Sequence, residues 1–328
     1  MGQAGWNTLN RDSLERYLGK LKAGRPNLSR LKSEELCELV GLTREGVPTL
    51  AAVLLFSLFP QGYFPQLCVT AVSVPGTEIG PLGPEGERFL DNRRIEGALT
   101  EMLEEALAFV RKNIKIKTII DTGTGKRADR EDYPLTAVRE AILNALIHRD
   151  YSLHTEGMPI QILLFEDRLE VKSPGGLYGR LRIDQLGKVQ PDTRNPVLAV
   201  AMEVLGETEN RYSGIPTMRR ELAQAGLPEP EFRDDRETFV VCFRKSRQST
   251  QNEEPDTVYD YNTTEENLLH FCTVPRTRQE IARFLGIKSV SYAVTTYVTP
   301  LVKKGLLALS IPEKPRSPKQ RYTTAQPK

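Results

Sequence analysis

The stretch PLTAVREAILNALIHRDYS, residues 134–152, decides how the chain is read. Pro134 stands where the start of a helix tolerates proline, and Leu135, Val138, Ile142 and Leu146 recur at intervals of three and four. The spacing predicts an amphipathic helix over 134–148. Two residues ahead of that apolar stripe, about 200° around the axis, Glu140, Asn144 and His148 follow one another at i, i+4 and i+8. Such a stripe is ordinarily a solvated face. A carboxylate and a carboxamide one turn apart also have a chemical use: the first polarises a water, and the second lends an oxygen to Mg²⁺ held by phosphates.

Working outward, residues 160–165 and 168–172 flank Glu166-Asp167 and read as a hairpin. The turn SPGGL at 173–177 follows, then helices near 196–205 and 215–225 and a strand at 238–244. A second glycine turn, YSGI at 212–215, resembles the first in opening onto irregular chain, and glycines let backbone N–H groups approach an anion. Upstream, helices are predicted near 12–21 and 33–39, the latter with Ser33 as its N-cap. Residues 96–110 put Leu99, Leu103, Ala106 and Val110 on one helical stripe, and 115–120 reads as a strand. The apolar run 49–59 fits a buried helix or a strand, and periodicity leaves the choice open. Strands alternating with helices argue for an α/β sandwich.

Residues 246–262 (SRQSTQNEEPDTVYDYN) lack apolar periodicity and read as a linker. The expected division is a helical and connecting segment at 1–85 packing on the core, the α/β domain at 86–246, a linker at 247–260 and a C-terminal module at 261–328. The whole chain of 328 residues carries net charge +2, yet residues 261–328 hold 11 Lys/Arg against 4 Asp/Glu, net +7, and the remainder 34 against 39, net −5. A basic module on a mildly acidic body points to an anionic partner.

With 39% hydrophobic and 27% charged residues, the composition is that of a folded globular chain. The longest apolar stretch, residues 50–59, falls short of the roughly 20 residues a membrane span needs, and no secretory signal precedes it, so the cytoplasm is the expected compartment. Cys37, Cys68, Cys242 and Cys272 form no CxxC pair, and His148, His154 and His270 are scattered, which argues against structural zinc. Asp121-Thr-Gly-Thr-Gly-Lys126 imitates a phosphate loop but has Arg127 where Ser or Thr is required, and it reads as a surface loop.

The C-terminal module reads as a winged helix-turn-helix. A first helix spans 264–271, Thr277 and Glu280 make a capping box for a second, and a third follows Lys288 with Val290, Ala293, Val294, Tyr297, Val298 and Leu301 inward. Strands at 306–311 and 320–324 enclose the tip 312–319. In this reading Lys288, Ser289, Ser291, Tyr292 and Thr295 face base edges of double-stranded DNA, and Arg316, Lys319 and Arg321 meet phosphate. Paired half-sites would imply a homodimer.

The motif series Glu140-Ala-Ile-Leu-Asn144-Ala-Leu-Ile-His148-Arg-Asp-Tyr-Ser152, Ser173-Pro-Gly-Gly-Leu177, Arg194-Asn195-Pro196 and Glu209-Asn-Arg-Tyr-Ser-Gly214 resembles that of bacterial ATP-binding transcriptional regulators with a RecG-like C-terminal domain. That domain is an ATPase-like α/β sandwich of the gyrase, Hsp90 and histidine-kinase type. The resemblance implies that Glu140 is the water-activating base, Asn144 the Mg²⁺ ligand, and Gly175, Gly176 and Gly214 the loops around an ATP molecule. It departs from the wider superfamily at Ser173, where an aspartate meets the adenine amino group, and at Tyr212, which replaces a glycine. Relatives of this kind commonly begin with a Schlafen-type AlbA domain, and the chain starts about where that domain would end. The reading is a nucleotide-sensing, DNA-binding regulator with slow or no turnover. The alternative is a working ATPase of mobile-element or defence biology in which DNA binding is secondary.

Overall fold

The computed structural model describes residues 5–120, 127–189, 192–207, 213–235, 237–245, 265–285, 290–313, 317 and 320–325. The chain forms two units, Met1–Arg247 and Gln248–Lys328. In the first, it runs through α1 (Arg11–Ala23), α2 (Ser33–Leu39), the short hairpin β1 (Thr43–Arg44) and β2 (Val47–Pro48), α3 (Leu50–Phe56), β3 (Val69–Ser73), β4 (Asp91–Ile95), α4 (Leu99–Asn113), β5 (Ile116–Ile120), β6 (Arg127–Glu131) and α5 (Leu135–His148). It continues through β7 (Ile160–Leu164), β8 (Arg168–Pro174), α6 (Pro196–Leu205), α7 (Gly214–Gln224), β9 (Glu231–Asp234) and β10 (Thr238–Arg244).

End chemistry places the helices. Asn10 accepts from the Ser13 amide to open α1, and Thr49 accepts from the Ala52 amide, which settles residues 50–56 as helix. The helix expected from 96 starts at Leu99, because the Glu101 carboxylate turns back to the Ala98 amide at 2.8 Å. Ser33 is the first helical residue and not the N-cap: the amide before it, on Lys32, donates to Glu35 at 2.9 Å. Pro134 likewise stands one residue outside α5, in extended conformation.

Six strands form one sheet in the order β4-β3-β7-β8-β10-β9, with β3 and β7 parallel and every other pair antiparallel. The expected hairpin is β7–β8. The strand expected at 115–120 lies outside this sheet and pairs with β6, Ile116 opposite Glu131; the glycine-lysine loop read between them, 121–126, lies outside the described residues. The division expected at residue 85 falls inside the first unit, since β3 sits beside β7 in the sheet interior.

Helix α5 packs between α4 and α7 and rests on β8. Its Val138, Ile142 and Leu146 join Leu99, Leu103, Ile162, Val171 and Val241 in one core, which also takes Leu14, Tyr17 and Leu18 of α1. Tyr17 packs against Phe56 with ring centroids 5.4 Å apart. Among the described residues, no helix is long and apolar enough to cross a membrane.

The second unit contains α8 (Glu265–Phe271), β11 (Arg276–Thr277), α9 (Arg278–Phe284), α10 (Val290–Ala293), a π-turn (Val294–Val298), α11 (Thr299–Lys303), β12 (Leu307–Leu309) and β13 (Arg321–Thr324). Its sheet has the order β11-β13-β12, and Leu268, Ile281, Ala293, Val298, Leu301, Leu307 and Tyr322 fill a core of its own. The capping box forms: the Glu280 amide donates to Thr277 Oγ1 at 3.3 Å, and the Thr277 amide donates to the Glu280 carboxylate at 2.7 Å. The third helix is not continuous. Pro300 supplies no N–H, Thr299 Oγ1 donates to the Val294 carbonyl at 2.9 Å, and the backbone widens into the π-turn there.

On the sheet face away from the helices, the register aligns Arg94, Thr70, Gln161, Lys172, Val240 and Arg233 across all six strands. Beside this row Glu170 is buried and accepts from Arg168 Nε at 2.8 Å and Arg233 Nη2 at 2.9 Å, with Lys172 Nζ at 3.2 Å. Burial alone would push its carboxyl up; the bonds from Arg168, Lys172 and Arg233 outweigh it and bring the pKa down to about 2. A carboxylate depressed in the folded state stabilises above its unfolded value and loses that contribution as the pH falls through the folded one, here on the order of 3 kcal/mol. Glu170→Gln is therefore expected to lower stability at neutral pH and to flatten its acid limb between about pH 4.5 and pH 2. Urea unfolding across that range measures it, and an unaltered acid limb would contradict the assignment.

Candidate functional site

Glu140 and Asn144 of the α5 polar stripe face α7 and a cavity, whereas His148 at its end lines the cavity and is exposed. Glu140 and Asn144 are half-buried where α7 begins, and Gly214 is its first residue. A Cβ placed on Gly214 would lie 2.7 Å from Asn144 Nδ2 and 3.0 Å from Glu140 Oε2, so the start of α7 lies against the ends of both side chains, and a larger residue there would displace them. Beside them lies a cavity of about 140 Å³. Ala141, Asn144 and His148 of α5, the glycine loop Gly175–Gly176 and Gly214 line it. Its apolar wall includes Val171, Val241, Leu177, Leu186 and Ile215. The structure thus brings Asn144, Gly175, Gly176 and Gly214 around one space, with Glu140 beside Gly214 but outside the cavity lining.

The glycine loop is a tight turn held from behind. Gly175 has φ +89°, a left-handed conformation that other residues adopt at a cost, and Asp150 Cβ and Arg194 Nη1 occupy the place of its missing side chain. Its amide donates to the Glu237 carbonyl at 2.6 Å, and the Asp150 amide donates to the Pro174 carbonyl at 2.9 Å. Ser173, just before it, is buried and lines the cavity, but its hydroxyl donates to the Ala145 carbonyl at 3.1 Å. Towards the cavity it therefore presents oxygen lone pairs without a charge.

At the other end of α5, His148 is accessible through the cavity. Crowding by the cavity walls, with a smaller contribution from the charge of Arg194, holds its imidazole below the ordinary value, so the ring is neutral at pH 7 with one donor and one acceptor nitrogen. Arg149, which follows it, is fully buried and donates to the carbonyls of Asp150 at 2.7 Å, Thr155 at 2.7 Å and Met158 at 2.5 Å, fixing the loop after the helix.

Several residues that hold the site carried no direct signal in the sequence. Asn195 precedes α6, yet its carboxamide donates to Ile147 and Arg149 carbonyls at 2.8 Å each, at the end of α5. Arg139, next to Glu140, donates to the Glu207 carbonyl at 2.7 Å and its carboxylate at 2.6 Å, anchoring the chain that leads towards α7. Arg219 of α7 donates to the Leu186 carbonyl at 3.1 Å, in the cavity wall. Asn195 and Arg194 stood within a quoted motif; their partners are set by tertiary structure. Among the described residues, no group of three His, Cys, Asp or Glu side chains is placed to hold a metal ion.

In the second unit, Arg321 is exposed on β13, its Nη1 donating to the Pro275 carbonyl at 3.2 Å. Lys288, Ser289, Arg316 and Lys319 lie outside the described residues, and Ser291, Tyr292 and Thr295 lie on α10 and the π-turn with only their backbone described.

Residues 157–243 match the family described as "Putative ATP-dependent DNA helicase recG C-terminal", which makes this part of the first unit ATPase-like. The match begins after α5, so Glu140 and Asn144 lie outside it. Residues 266–324 match the family "Filamentation induced by cAMP protein Fic-like, C-terminal domain". The crystal structure of the DIP2311 protein from Corynebacterium diphtheriae superposes with a TM-score of 0.54 at 19% identity, a likeness of fold. The alignment covers 99% of this chain and 63% of that one, so the chain spans less than two thirds of that protein's length. No curated protein matches the chain.

Proposed function

We propose that the cavity between α5, the glycine loop and α7 binds ATP with Mg²⁺, and that the protein is a DNA-binding regulator whose first unit senses that nucleotide. The observation that carries the reading is the meeting of Glu140 and Asn144 with Gly214 at the start of α7, on the rim of an apolar cavity walled by a second glycine turn. The residues fit the ligand chemically. The apolar wall suits a base, the backbone at Gly176 and Gly214 suits phosphate oxygens while Gly175, its N–H held by the Glu237 carbonyl, shapes the turn, and the Asn144 carboxamide is a neutral oxygen donor for Mg²⁺. When bound, the cation would neutralise phosphate charge. Glu140 would take the proton of a water, and Arg139, tied to Glu207, keeps the neighbouring turn of α5 in place. At Ser173 a neutral oxygen stands on the cavity floor, which supports sensing with slow turnover over efficient hydrolysis.

With a fluorescent ATP analogue, Asn144→Ala is expected to weaken binding and to reduce its dependence on Mg²⁺. Glu140→Gln is expected to retain binding, with no rate to lose if the site only senses and a loss of order 10²–10⁴ if it hydrolyses. Robust hydrolysis abolished by Glu140→Gln would favour the working ATPase, and wild type that binds no nucleotide would remove both readings.

The second unit supports the DNA reading through its helix order, its β12–β13 hairpin and its net charge of +7 over residues 261–328. As a winged helix it would set the third helix against the duplex and the hairpin cations on phosphate, with two copies on paired half-sites. Full-length protein is expected to bind duplex DNA with steep salt dependence. Replacing Arg316, Lys319 and Arg321 with alanine should weaken binding to all sequences and flatten the salt slope; no binding at low salt would contradict this.

A further inference from the structure

One guanidinium reaches four residues of the cavity wall without lining the cavity itself. Arg194, between the cavity wall and α6, donates through Nη2 to the Gly176 carbonyl at 3.1 Å. Its guanidinium carbon lies 5.2 Å from the centre of the Tyr178 ring. Its Nη1 fills the space beside Gly175, and its charge acts on His148. Gly175, Gly176, Tyr178 and His148 all face the cavity. The counter-charge is Asp150, 3.7 Å from Nη1, which is buried and makes no hydrogen bond. An ion pair serving stability alone would close that gap, because an unspent buried donor is costly. Here the planar group meets the Gly176 carbonyl and the Tyr178 ring together.

We propose that Arg194 is the positioning residue of the cavity's aromatic end, setting the glycine loop and Tyr178 so that a flat heteroaromatic ring, the nucleobase, is received between Tyr178 and His148. The proposal rests on the nucleotide reading for its ligand and on the contacts of Arg194 for its mechanism. A cation behind one ring raises the preference of that ring for its place. The neutral imidazole of His148, which also lines the cavity, offers a donor, an acceptor and an aromatic face. The remaining charged group at this end is Asp192, which lines the cavity, with Asp150 two residues beyond His148. Lysine would keep the charge and lose the planar fork, which separates the two contributions.

The test uses the full-length chain with Mg²⁺ and a fluorescent ATP analogue as probe, comparing wild type, Arg194→Ala and Arg194→Lys, with thermal melting as control. A parallel NMR titration follows the histidine rings, the His148 signal being assigned by its loss in His148→Gln. Both Arg194 variants are expected to lose about tenfold or more in affinity, the cost of a charge-assisted hydrogen bond. The His148 midpoint should rise in Arg194→Ala and stay put in Arg194→Lys. Wild-type affinity in Arg194→Lys, or an unmoved His148 midpoint in Arg194→Ala, would overturn the proposal. Should Arg194→Ala not fold, Arg194→Met keeps the apolar stem and takes its place. If wild type binds no nucleotide, the function proposed above falls, and the His148 titration decides the role of Arg194 separately.

Discussion

Carbonyls in the last turn of α5 take partners from outside the helix, and their capture organises the first unit. The Ala145 carbonyl takes the Ser173 hydroxyl as well as the Arg149 amide; that of Leu146 takes the Tyr151 hydroxyl at 2.7 Å; that of Ile147 takes Asn195. Each partner comes from a different segment: the end of β8, the loop after α5 and the approach to α6. Leaving the Leu146 and Ile147 carbonyls unpaired would cost about 1–3 kcal/mol each, and the Ser173 bond adds to one already made at Ala145, so the three segments are drawn to one point. The glycine loop, the wall ahead of α6 and the site helix therefore hold their relation through backbone chemistry, and the cavity is the space left between them.

This constraint explains what the sequence disclosed and what it concealed. The helix of residues 135–148 was legible because local periodicity and Pro134 both mark it, and β7–β8 was legible because a hairpin is local. Strands β3 and β4 were not. VTAVS at 69–73 is a short alternating segment whose parallel partner lies some 90 residues on, and DNRRI at 91–95 is a charged edge strand. Their pairing rests on contacts that no local pattern encodes. The strand at 115–120 was legible as a strand but not as part of a separate hairpin, for the same reason.

Within the site, residue types and spacing indicated Glu140, Asn144 and the glycines, but placed the polar stripe on a face that periodicity alone would give to water. The close approach of α7 at Gly214 half-buries Glu140 and Asn144, while His148 stays exposed at the cavity. Ser173 shows the converse: its sequence position suggests a ligand contact, while its hydroxyl hydrogen is already committed to Ala145. Arg194 and Asn195 act across the fold, and a sequence pattern shows such residues only as a motif without a partner. In the second unit the capping box at Thr277 was legible and formed, whereas the π-turn required the combination of Pro300 with the Thr299 hydroxyl.

We place ATP with Mg²⁺ in the space enclosed by α5, the glycine loop and α7. Amide hydrogen exchange on the full-length chain, with and without saturating Mg-ATP, tests it directly. Slowed exchange is expected at residues 140–148, 173–178 and 213–218, the segments that border the cavity. Exchange unchanged in all three segments, at a nucleotide concentration that alters exchange elsewhere in the chain, would contradict it.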